Sequence, residues 1–430
     1  MNIKRSIPLI GAALLTAGSA AADTHKPLAE ILHWWSSPGE AAALDVLIEE
    51  FEARGGEYYD STQDNQVENR QEAIERMGKG YPSSLTQWNA GREVREFYDL
   101  GLTDAITSPE IIEKLENTLP DPVLNAVTHE GKIVAMPVNI HSENWMWYSN
   151  ELLDYSDQLV SGDWQQFLDA AANLDEQNLP ILAVGDQSWQ VRILFTSLFL
   201  GISRDKYRTF FLDPENSVNV TESAEFKRVL NVFSKIATYS KSFGEGNWDT
   251  QVKAVAENKA AATFMGDWAK GEFQSLGKDA GDHYGCALSG GADPSLLLVI
   301  DAFILGKMMS PAERSGQELM LDVISDPDVN RKFNKLKGSV SPYASPVNAD
   351  RDVCSDQVYK TIAKDDSVIP PYASYLHGHY MHQIDNEIYR LWKAAQENGV
   401  AEVEASVKMF REIAQALSEE ASRAVATAED

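Results

Sequence analysis

The chain has 430 residues, of which 65 are acidic and 37 basic, giving a formal net charge of −28 at pH 7. A surface this acidic repels nucleic acid and anionic lipid, which excludes both classes of partner. The charge favours solubility and carries little information about the fold, whereas the length suits two domains with separate cores.

The chain begins with the pattern of a signal peptide. Lys4 and Arg5 precede an apolar run, and the small residues at 17–22 offer an A-x-A site with cleavage after Ala22. The apolar run is shorter than the roughly 20 residues that a membrane span needs, so a membrane anchor is the weaker alternative. Residues 1–22 are therefore left out of the expected fold.

The cysteines support an exported protein. No Cys lies near the cleavage site to carry a lipid, so we expect a soluble protein of the Gram-negative periplasm. That compartment is oxidising, and Cys286 and Cys354 can form one disulfide there. The alternative is two unrelated buried thiols.

Strand and helix patterns alternate after the signal peptide, which is typical of an α/β fold. An apolar stretch at 28–35 predicts a strand, and Ser37, Pro38 and Glu40 predict a helix with an N-cap, an N1 proline and a capping box. Further strands are predicted at 132–138, 145–148, 181–184 and 259–264. Further helices are predicted at 163–178, 189–200, 223–241, 251–258 and 401–426.

Three segments set tryptophans beside polar groups, at 33–40, 247–249 and 265–268. An indole ring offers a rigid apolar plate with one N–H donor. Carboxylates are strong acceptors for hydroxyl groups. The combination therefore favours a ligand with apolar faces and a hydroxylated rim, which describes a sugar.

Taken in order, these segments resemble the extracellular solute-binding proteins of bacterial ABC sugar importers, above all the periplasmic glucose-binding proteins. HWWSSPGE at 33–40 is similar to the opening WW-S/T-x-G-G-E signature of that family. KAAATFMGDWA at 259–269 and LKGSV at 336–340 are similar to two later blocks. The likeness covers nearly the whole chain after the signal peptide.

The resemblance implies an α/β two-lobe periplasmic binding protein fold with the ligand cleft between the lobes. It implies crossings near Asn139, Ser289 and Ser341. The N-terminal lobe would comprise 23–138 and 290–340, and the C-terminal lobe 139–289 and 341–430. Both cysteines would then lie in the second lobe, which is compatible with a disulfide there. The lengthened segment after Val340 leaves the hinge geometry open.

The resemblance also implies the sugar-binding residues. They are Trp34, Trp35, Glu40, Gln87, Asn89, Trp248, Trp268, Asp301, Lys337 and His377. Asn89 stands where the family often has a lysine, so a charged donor is missing and glucose itself is in doubt.

Each of these residues has a structural alternative. The tryptophans can be core residues, Glu40 a capping-box carboxylate, Asn89 a turn residue and Lys337 a solvated charge. Asp267 is expected as an N-cap rather than a ligand contact. Asp301 lies in an apolar run and needs a partner, because a lone buried charge is costly.

A histidine cluster follows at His377, His379 and His382. Zinc is the weaker interpretation, because no carboxylate lies at a standard ligand spacing. The family has a histidine that contacts sugar at the position of His377. We expect no metal and no cofactor.

The predicted function is a monomeric periplasmic receptor that delivers a small neutral sugar, glucose or a related hexose, to an inner-membrane ABC permease. The mechanism would be hinge closure on the ligand, since contacts from both lobes exist only in the closed form. One alternative is a secreted glycoside hydrolase, with its carboxylates drawn from Glu40, Glu143 and Asp301. Another is a binder of a polyamine or peptide, through ring-face contact with a cation.

Overall fold

The computed structural model describes residues 25–153, 164–289, 293–308, 310–343, 352–362, 364, 366–399 and 402–429. The predicted signal peptide lies outside the described residues, as does the altered segment after Val340 from residue 344 on. No helix within these ranges combines the length and the apolar character that crossing a membrane requires.

Helices and strands alternate along the described chain, which confirms the α/β class. The helices are α1 Pro38–Ala53, α2 Gln66–Lys79, α3 Arg92–Asp99, α4 Pro109–Thr118, α5 Asp121–Val127, α6 Trp164–Asp175, α7 Ser188–Ile202, α8 Arg204–Leu212, α9 Ser217–Thr221, α10 Ala224–Thr238, α11 Trp248–Ala256, α12 Ala269–Ser275, α13 Pro311–Ile324, α14 Pro327–Lys337, α15 Val353–Ile362, α16 Gly378–Asn398 and α17 Val403–Glu429. The strands are β1 Leu28–His33, β2 Glu57–Thr62, β3 Leu85–Asn89, β4 Thr103–Asp104, β5 Thr128–His129, β6 Lys132–Ile133, β7 Ala135–Pro137, β8 His141–Ser142, β9 Trp145–Ser149, β10 Leu182–Ala183, β11 Ser240–Lys241, β12 Ala262–Met265, β13 Tyr284–Leu288, β14 Leu296–Val299, β15 Asp301–Gly306 and β16 Val368–Ile369.

The first lobe is built on a sheet with strand order β2-β1-β3-β15-β4, and β7 also pairs with β15. β1 runs parallel to β2 and β3, while β15 runs antiparallel to β3. One hydrophobic core joins this sheet to α1, α13 and α14. Because parallel strands end at the same edge of a sheet, β1 and β3 bring Trp34 and Asn89 to that edge.

The second lobe is built on a sheet with strand order β11-β10-β12-β9-β13. Its separate core is rich in aromatic rings and centres on α7, where residues 190–200 are all buried. A helix that is apolar on all sides belongs inside a protein, and here α10 and α16 pack around it.

The chain passes between the lobes through paired short segments. β8 pairs antiparallel with β14, and Ile140 forms a bridge with Val340. The apolar run at 296–305 is divided, since β14 pairs with β8 and β16 whereas β15 joins the first sheet. Residues 296–298 belong to the second core and Tyr343 to the first, so the cores change over slightly later than the predicted limits.

The expected start of α1 is largely confirmed. Ser37 is the N-cap and accepts a hydrogen bond from Glu40 N, and Pro38 is the first helical residue. The Glu40 carboxylate, however, forms an ion pair with Lys337. Its other oxygen, Oε2, accepts from Ser37 Oγ at 3.1 Å, so Glu40 combines a local contact at the N-cap with a tertiary ion pair.

Cys286 on β13 and Cys354 on α15 form a disulfide, with their Cα atoms 5.9 Å apart. Both residues lie in the core of the second lobe. The bridge connects the second sheet to α15 and ties this helix to the core.

Candidate functional site

A cavity of about 480 Å³ lies between the two lobes and is the candidate ligand site. This volume lies within the roughly 300–1,000 Å³ that is usual for small-molecule sites. Most of the predicted sugar-binding residues line it, namely Trp34, Trp35, Glu40, Asn89, Trp248, Trp268, Asp301 and Lys337. Gln87 and His377 are not brought to its wall.

The two adjacent tryptophans after β1 have different roles. Trp35 is 1% exposed and packs against Phe303 and Phe333 of the first core. Trp34 stays half-buried on the cavity wall, and its backbone N–H donates to Gln87 Oε1 at 3.1 Å. Gln87 is fully buried, so it positions Trp34 from behind rather than facing the cavity.

Lys337 and Glu40 form a buried ion pair on the side of the cavity that the first lobe provides, which we call the first wall. The Lys337 Nζ atom lies 2.9 Å from Glu40 Oε1, and both side chains are less than a tenth exposed. Nζ also lies 5.8 Å from the ring centroid of Trp35 and 5.9 Å from that of Trp268. Lys337 is therefore not a solvated charge, and its pairing with Glu40 leaves no net charge at this point.

Asp301 is held by neighbours on every side. Asn89 Nδ2 and Asn139 Nδ2 each donate to its carboxylate at 3.1 Å, and His141 Nε2 lies 3.4 Å away. Burial would raise the pKa of Asp301, but His141, Lys337 and Asn139 together lower it. The charge in the apolar run is thus paired, as expected.

His141 connects this network to the second lobe. Its Nδ1 atom makes a short contact with Asp267, whose other oxygen accepts from Ser142 N at 2.9 Å. Burial disfavours the imidazolium, but the Asp267 carboxylate outweighs it and raises the pKa of His141. The N-cap of α12 is Trp268, so the expected capping role of Asp267 is wrong: the carboxylate is used by the crossing segment instead.

The second wall, which is the side of the cavity that the second lobe provides, contains Trp248 and Trp268. Trp248 is the first residue of α11, and Trp268 follows the turn after β12. The Trp268 ring lies over Gly266, where an added Cβ would come within 2.1 Å of it. Trp268 also contacts the rings of His141 and Trp189, with centroids 5.0 and 6.4 Å apart. Trp189 lines the cavity as well and was not predicted.

A buried charge cluster in the second wall was also missed. Arg192 Nη1 lies 2.9 Å from Glu143 Oε1, and its Nε lies 2.8 Å from Asp385 Oδ1. The guanidinium lies over the Tyr372 ring, 5.1 Å from the centroid. Burial raises the pKa of both Glu143 and Asp385, and the contacts with Arg192 offset only part of that shift.

A cation also stands beside Asn89. Gln66 Nε2 and Arg70 Nη2 donate to Asn89 Oδ1 at 2.7 and 3.4 Å, and Arg70 Nη1 lies 2.7 Å from Glu93 Oε2. The Arg70 guanidinium stacks on Trp88, 4.4 Å from the ring centroid. Arg70 therefore places a positive charge beside Asn89, at the position where the family often has a lysine. Arg70 lies on α2, and no sequence motif had indicated that this helix contributes to the site.

The two lobes also meet at the N-terminus of α1. Ser37 Oγ and Gly39 N donate to Glu272 Oε1 of α12, at 2.6 and 2.9 Å. An added Cβ at Gly39 would come within 2.7 Å of Glu272 Oε1 and 2.9 Å of the Gly271 backbone, so a glycine is needed for this close approach. Burial raises the pKa of Glu272.

The cations on the cavity wall are all compensated. Among the lining residues that the structure describes, each arginine and lysine has a carboxylate oxygen within 3.0 Å. The pairs are Arg70–Glu93, Arg92–Glu96, Arg192–Asp385 and Lys337–Glu40. The wall therefore offers no uncompensated cation to an anionic ligand.

A family model described as bacterial extracellular solute-binding protein matches residues 47–364. A probable sugar-binding periplasmic protein of Brucella melitensis is 31% identical over 408 residues, which span 92% of this chain and 94% of the relative. The chain belongs to the bacterial extracellular solute-binding protein family. Members of this family are receptors rather than enzymes, so the glycoside hydrolase alternative is set aside.

Solved structures share the fold of this solute-binding protein. The bacterial solute receptor AcbH, described as having an exclusive preference for b-D-galactopyranose, has a TM-score of 0.70 and 17% identity, covering 93% of this chain and 99% of AcbH. The solute-binding protein RafE in complex with raffinose has a TM-score of 0.67 and 11% identity, covering 91% and 99%. At these identities the likeness concerns the fold alone, and it confirms the two-lobe architecture.

Proposed function

We propose that this protein binds a neutral sugar in the interlobe cavity and delivers it to the permease of an ABC importer. The observation that carries the proposal is that half-buried tryptophans from both lobes, Trp34, Trp248 and Trp268, share one cavity with carboxylate and amide groups. Indole faces suit the C–H faces of a sugar, and the polar groups suit its hydroxyls. The Brucella relative, named as a sugar-binding protein, supports this assignment.

The solute class follows from the charges. Because each wall cation is already paired, an acidic sugar would bring a negative charge to a wall with no free counter-charge, at a high desolvation cost. A neutral solute meets no such cost. The proposed ligand is glucose or a related hexose, alone or in a short oligosaccharide.

Hinge closure is the proposed mechanism. The predicted contacts divide between lobes, with Trp34, Asn89 and Asp301 on the first and Trp248 and Trp268 on the second. A ligand that contacts both walls binds the closed form better, so it shifts the population towards closure. The antiparallel pairing of β8 with β14 and the bridge between Ile140 and Val340 connect the lobes at the crossings.

The cellular setting completes the proposal. Removal of residues 1–22 would release a monomer into the Gram-negative periplasm, where the closed form would engage the inner-membrane permease. The periplasmic description of the Brucella relative agrees with this location.

A thermal-shift screen tests the proposed function. The panel contains neutral hexoses and short oligosaccharides, with glucuronate and spermidine as charged comparators. A neutral sugar at one hundred times its Kd stabilises the protein by about 2.7 kcal/mol, and the charged comparators give no shift. Stabilisation by glucuronate or spermidine without any response to neutral sugars would overturn the proposal.

A further inference from the structure

A further set of ionic contacts joins the lobes beside the cavity, and it shares Arg92 with the cavity wall. His377 Nδ1 lies 2.6 Å from Glu96 Oε1, and His377 Nε2 lies 2.7 Å from Glu420 Oε1. Glu96 lies on α3 of the first lobe. Glu420 lies on α17, and His377 directly precedes α16, both in the second lobe. The imidazole therefore spans two carboxylates from opposite lobes.

Arg92 contacts the same two carboxylates. Its Nε atom lies 3.0 Å from Glu96 Oε1, and its Nη2 atom lies 3.6 Å from Glu420 Oε1. We call Arg92, Glu96, His377 and Glu420 the interlobe bridge. Its ionic side chains are between 29% and 37% exposed, so solvent protons reach it.

The geometry of the interlobe bridge depends on the protonation of His377. Both ring nitrogens face a carboxylate oxygen, and only the imidazolium has an N–H on each nitrogen. A neutral ring donates to one carboxylate and points a lone pair at the other. With the imidazolium, two cations balance Glu96 and Glu420, whereas the neutral ring leaves a net charge of −1.

We propose that His377 is a proton-dependent positioning residue that stabilises the closed arrangement of the lobes. In the observed arrangement both carboxylates lie at the ring, and only the imidazolium can donate to each of them. The stabilisation is present at acidic pH and declines as pH rises through the range in which histidine loses its proton. This adds regulation to the proposed function, and only its sugar-binding test depends on that function.

Other titratable and charged groups lie on or next to the elements that form the interlobe bridge, and one of them, Tyr380, hydrogen-bonds Glu420. They are Glu93 and Arg95 on α3, Tyr375 before α16, His379, Tyr380 and His382 on α16, and Glu419 and Arg423 on α17. Histidine is the side-chain type among them whose reference pKa falls between pH 5 and 8. His379 is exposed and bonds Gln383 of its own helix, which makes it a matched control for His377.

Energy transfer between dyes on the two lobes tests the bridge without any ligand. Dyes are placed at Leu100→Cys on the first lobe and Lys408→Cys on the second, both exposed positions, while Cys286 and Cys354 stay bonded to each other. The closed fraction decreases from pH 6 to pH 8. The same change is expected with His379→Gln and is lost with His377→Gln. A closed fraction that does not depend on pH, or that keeps its dependence in His377→Gln, overturns the proposal.

Sugar affinity supplies a second test, using whichever neutral sugar stabilises the protein in the screen. Two exposed ion pairs predict binding about fivefold weaker at pH 8 than at pH 6. In His377→Gln the affinity is weak at both pH values. If His377→Gln instead weakens sugar affinity by the same factor at pH 6 and pH 8, and the affinity still depends on pH, the effect of His377 does not depend on its proton. That result would overturn the proposal. If no sugar binds but closure still depends on pH, the proposed function fails and the bridge stands.

Discussion

The two walls of the cavity both contain buried carboxylates, but the pKa shifts of these carboxylates have opposite directions. In the first wall, Asp301 is surrounded by Asn89, Asn139 and His141, and its pKa is lowered. In the second wall, Glu143 and Asp385 share Arg192, and the pKa of each is raised by burial. The direction of the pKa shift thus depends on whether hydrogen-bond donors and nearby cations outweigh the effect of burial.

The difference has a consequence for ligand binding. The Asp301 anion is held by Asn89, Asn139 and His141 before a ligand enters, and these three contacts leave acceptor capacity for a sugar hydroxyl at a fixed position. The Arg192 cluster holds more negative charge than one cation offsets, so added hydroxyl donors would relieve it. We infer that the first wall orients the sugar. The second wall is stabilised more by the hydroxyl donors that the sugar brings.

Arg192→Ala should give the largest effect. The substitution leaves Glu143 and Asp385 buried without their cation, and breaking such a pair costs about 3–5 kcal/mol of unfolding free energy. Urea denaturation measures the loss. Arg208→Ala removes the partner of Asp366, a pair of the same lobe in which Arg208 is partly exposed and Asp366 exposed, and it should cost less than about 1 kcal/mol. Similar losses in both variants would contradict the account of the second wall.

Trp34→Ala should weaken sugar binding by about 2 kcal/mol, or roughly 30-fold, because it removes a half-buried aromatic contact from the cavity. Trp35→Phe should instead act mainly on stability, since Trp35 is packed in the first core. Tyr59→Ala, on an exposed strand away from the cavity, is the control. Calorimetric titration compares the three, and an unchanged affinity in Trp34→Ala would argue against a ring contact.

Opposite pH dependences should separate the walls. A lowered pKa means that the Asp301 anion contributes stability above the unfolded value of about 3.9, and this is lost as pH falls through the folded pKa. A raised pKa means that Glu143 contributes stability below its unfolded value, and this is lost as pH rises through the folded pKa.

The corresponding variants are Asp301→Asn and Glu143→Gln, followed by urea denaturation from pH 3 to pH 8. Relative to the parent protein, the deficit of Asp301→Asn should grow with rising pH and that of Glu143→Gln should shrink. Each slope has an upper limit of about 1.4 kcal/mol per pH unit. Parallel slopes would remove the distinction between the walls.

Much of the first wall could be predicted because its signals are local in the sequence. Ser37 and Pro38 mark the start of α1, and the apolar stretch before them marks β1, so Trp34 falls at a strand end. Asp301 was recognisable as a charge inside an apolar run. The same argument applies to Arg192, a cation inside the apolar sequence SWQVRILFTSLFLGI of α7, and it would have pointed to the second wall.

The remaining site residues depend on contacts between distant segments. The charge cluster of the second wall is assembled from four separate segments of the chain, which contribute Glu143, Arg192, Tyr372 and Asp385. No spacing in the sequence connects these residues. His377 was predicted as a sugar contact from a short motif, yet its neighbours Glu96 and Glu420 lie 281 and 43 residues away from it. Such partners become visible only when both lobes are in place.

A crystal structure with the sugar found in the screen tests the central claim most directly. We expect one neutral sugar in the interlobe cavity, with a ring face against Trp34 of the first lobe and a second contact with Trp248 or Trp268 of the second lobe. A hydroxyl should donate to Asp301. A sugar that contacts one lobe only, or that lies outside this cavity, would contradict the account.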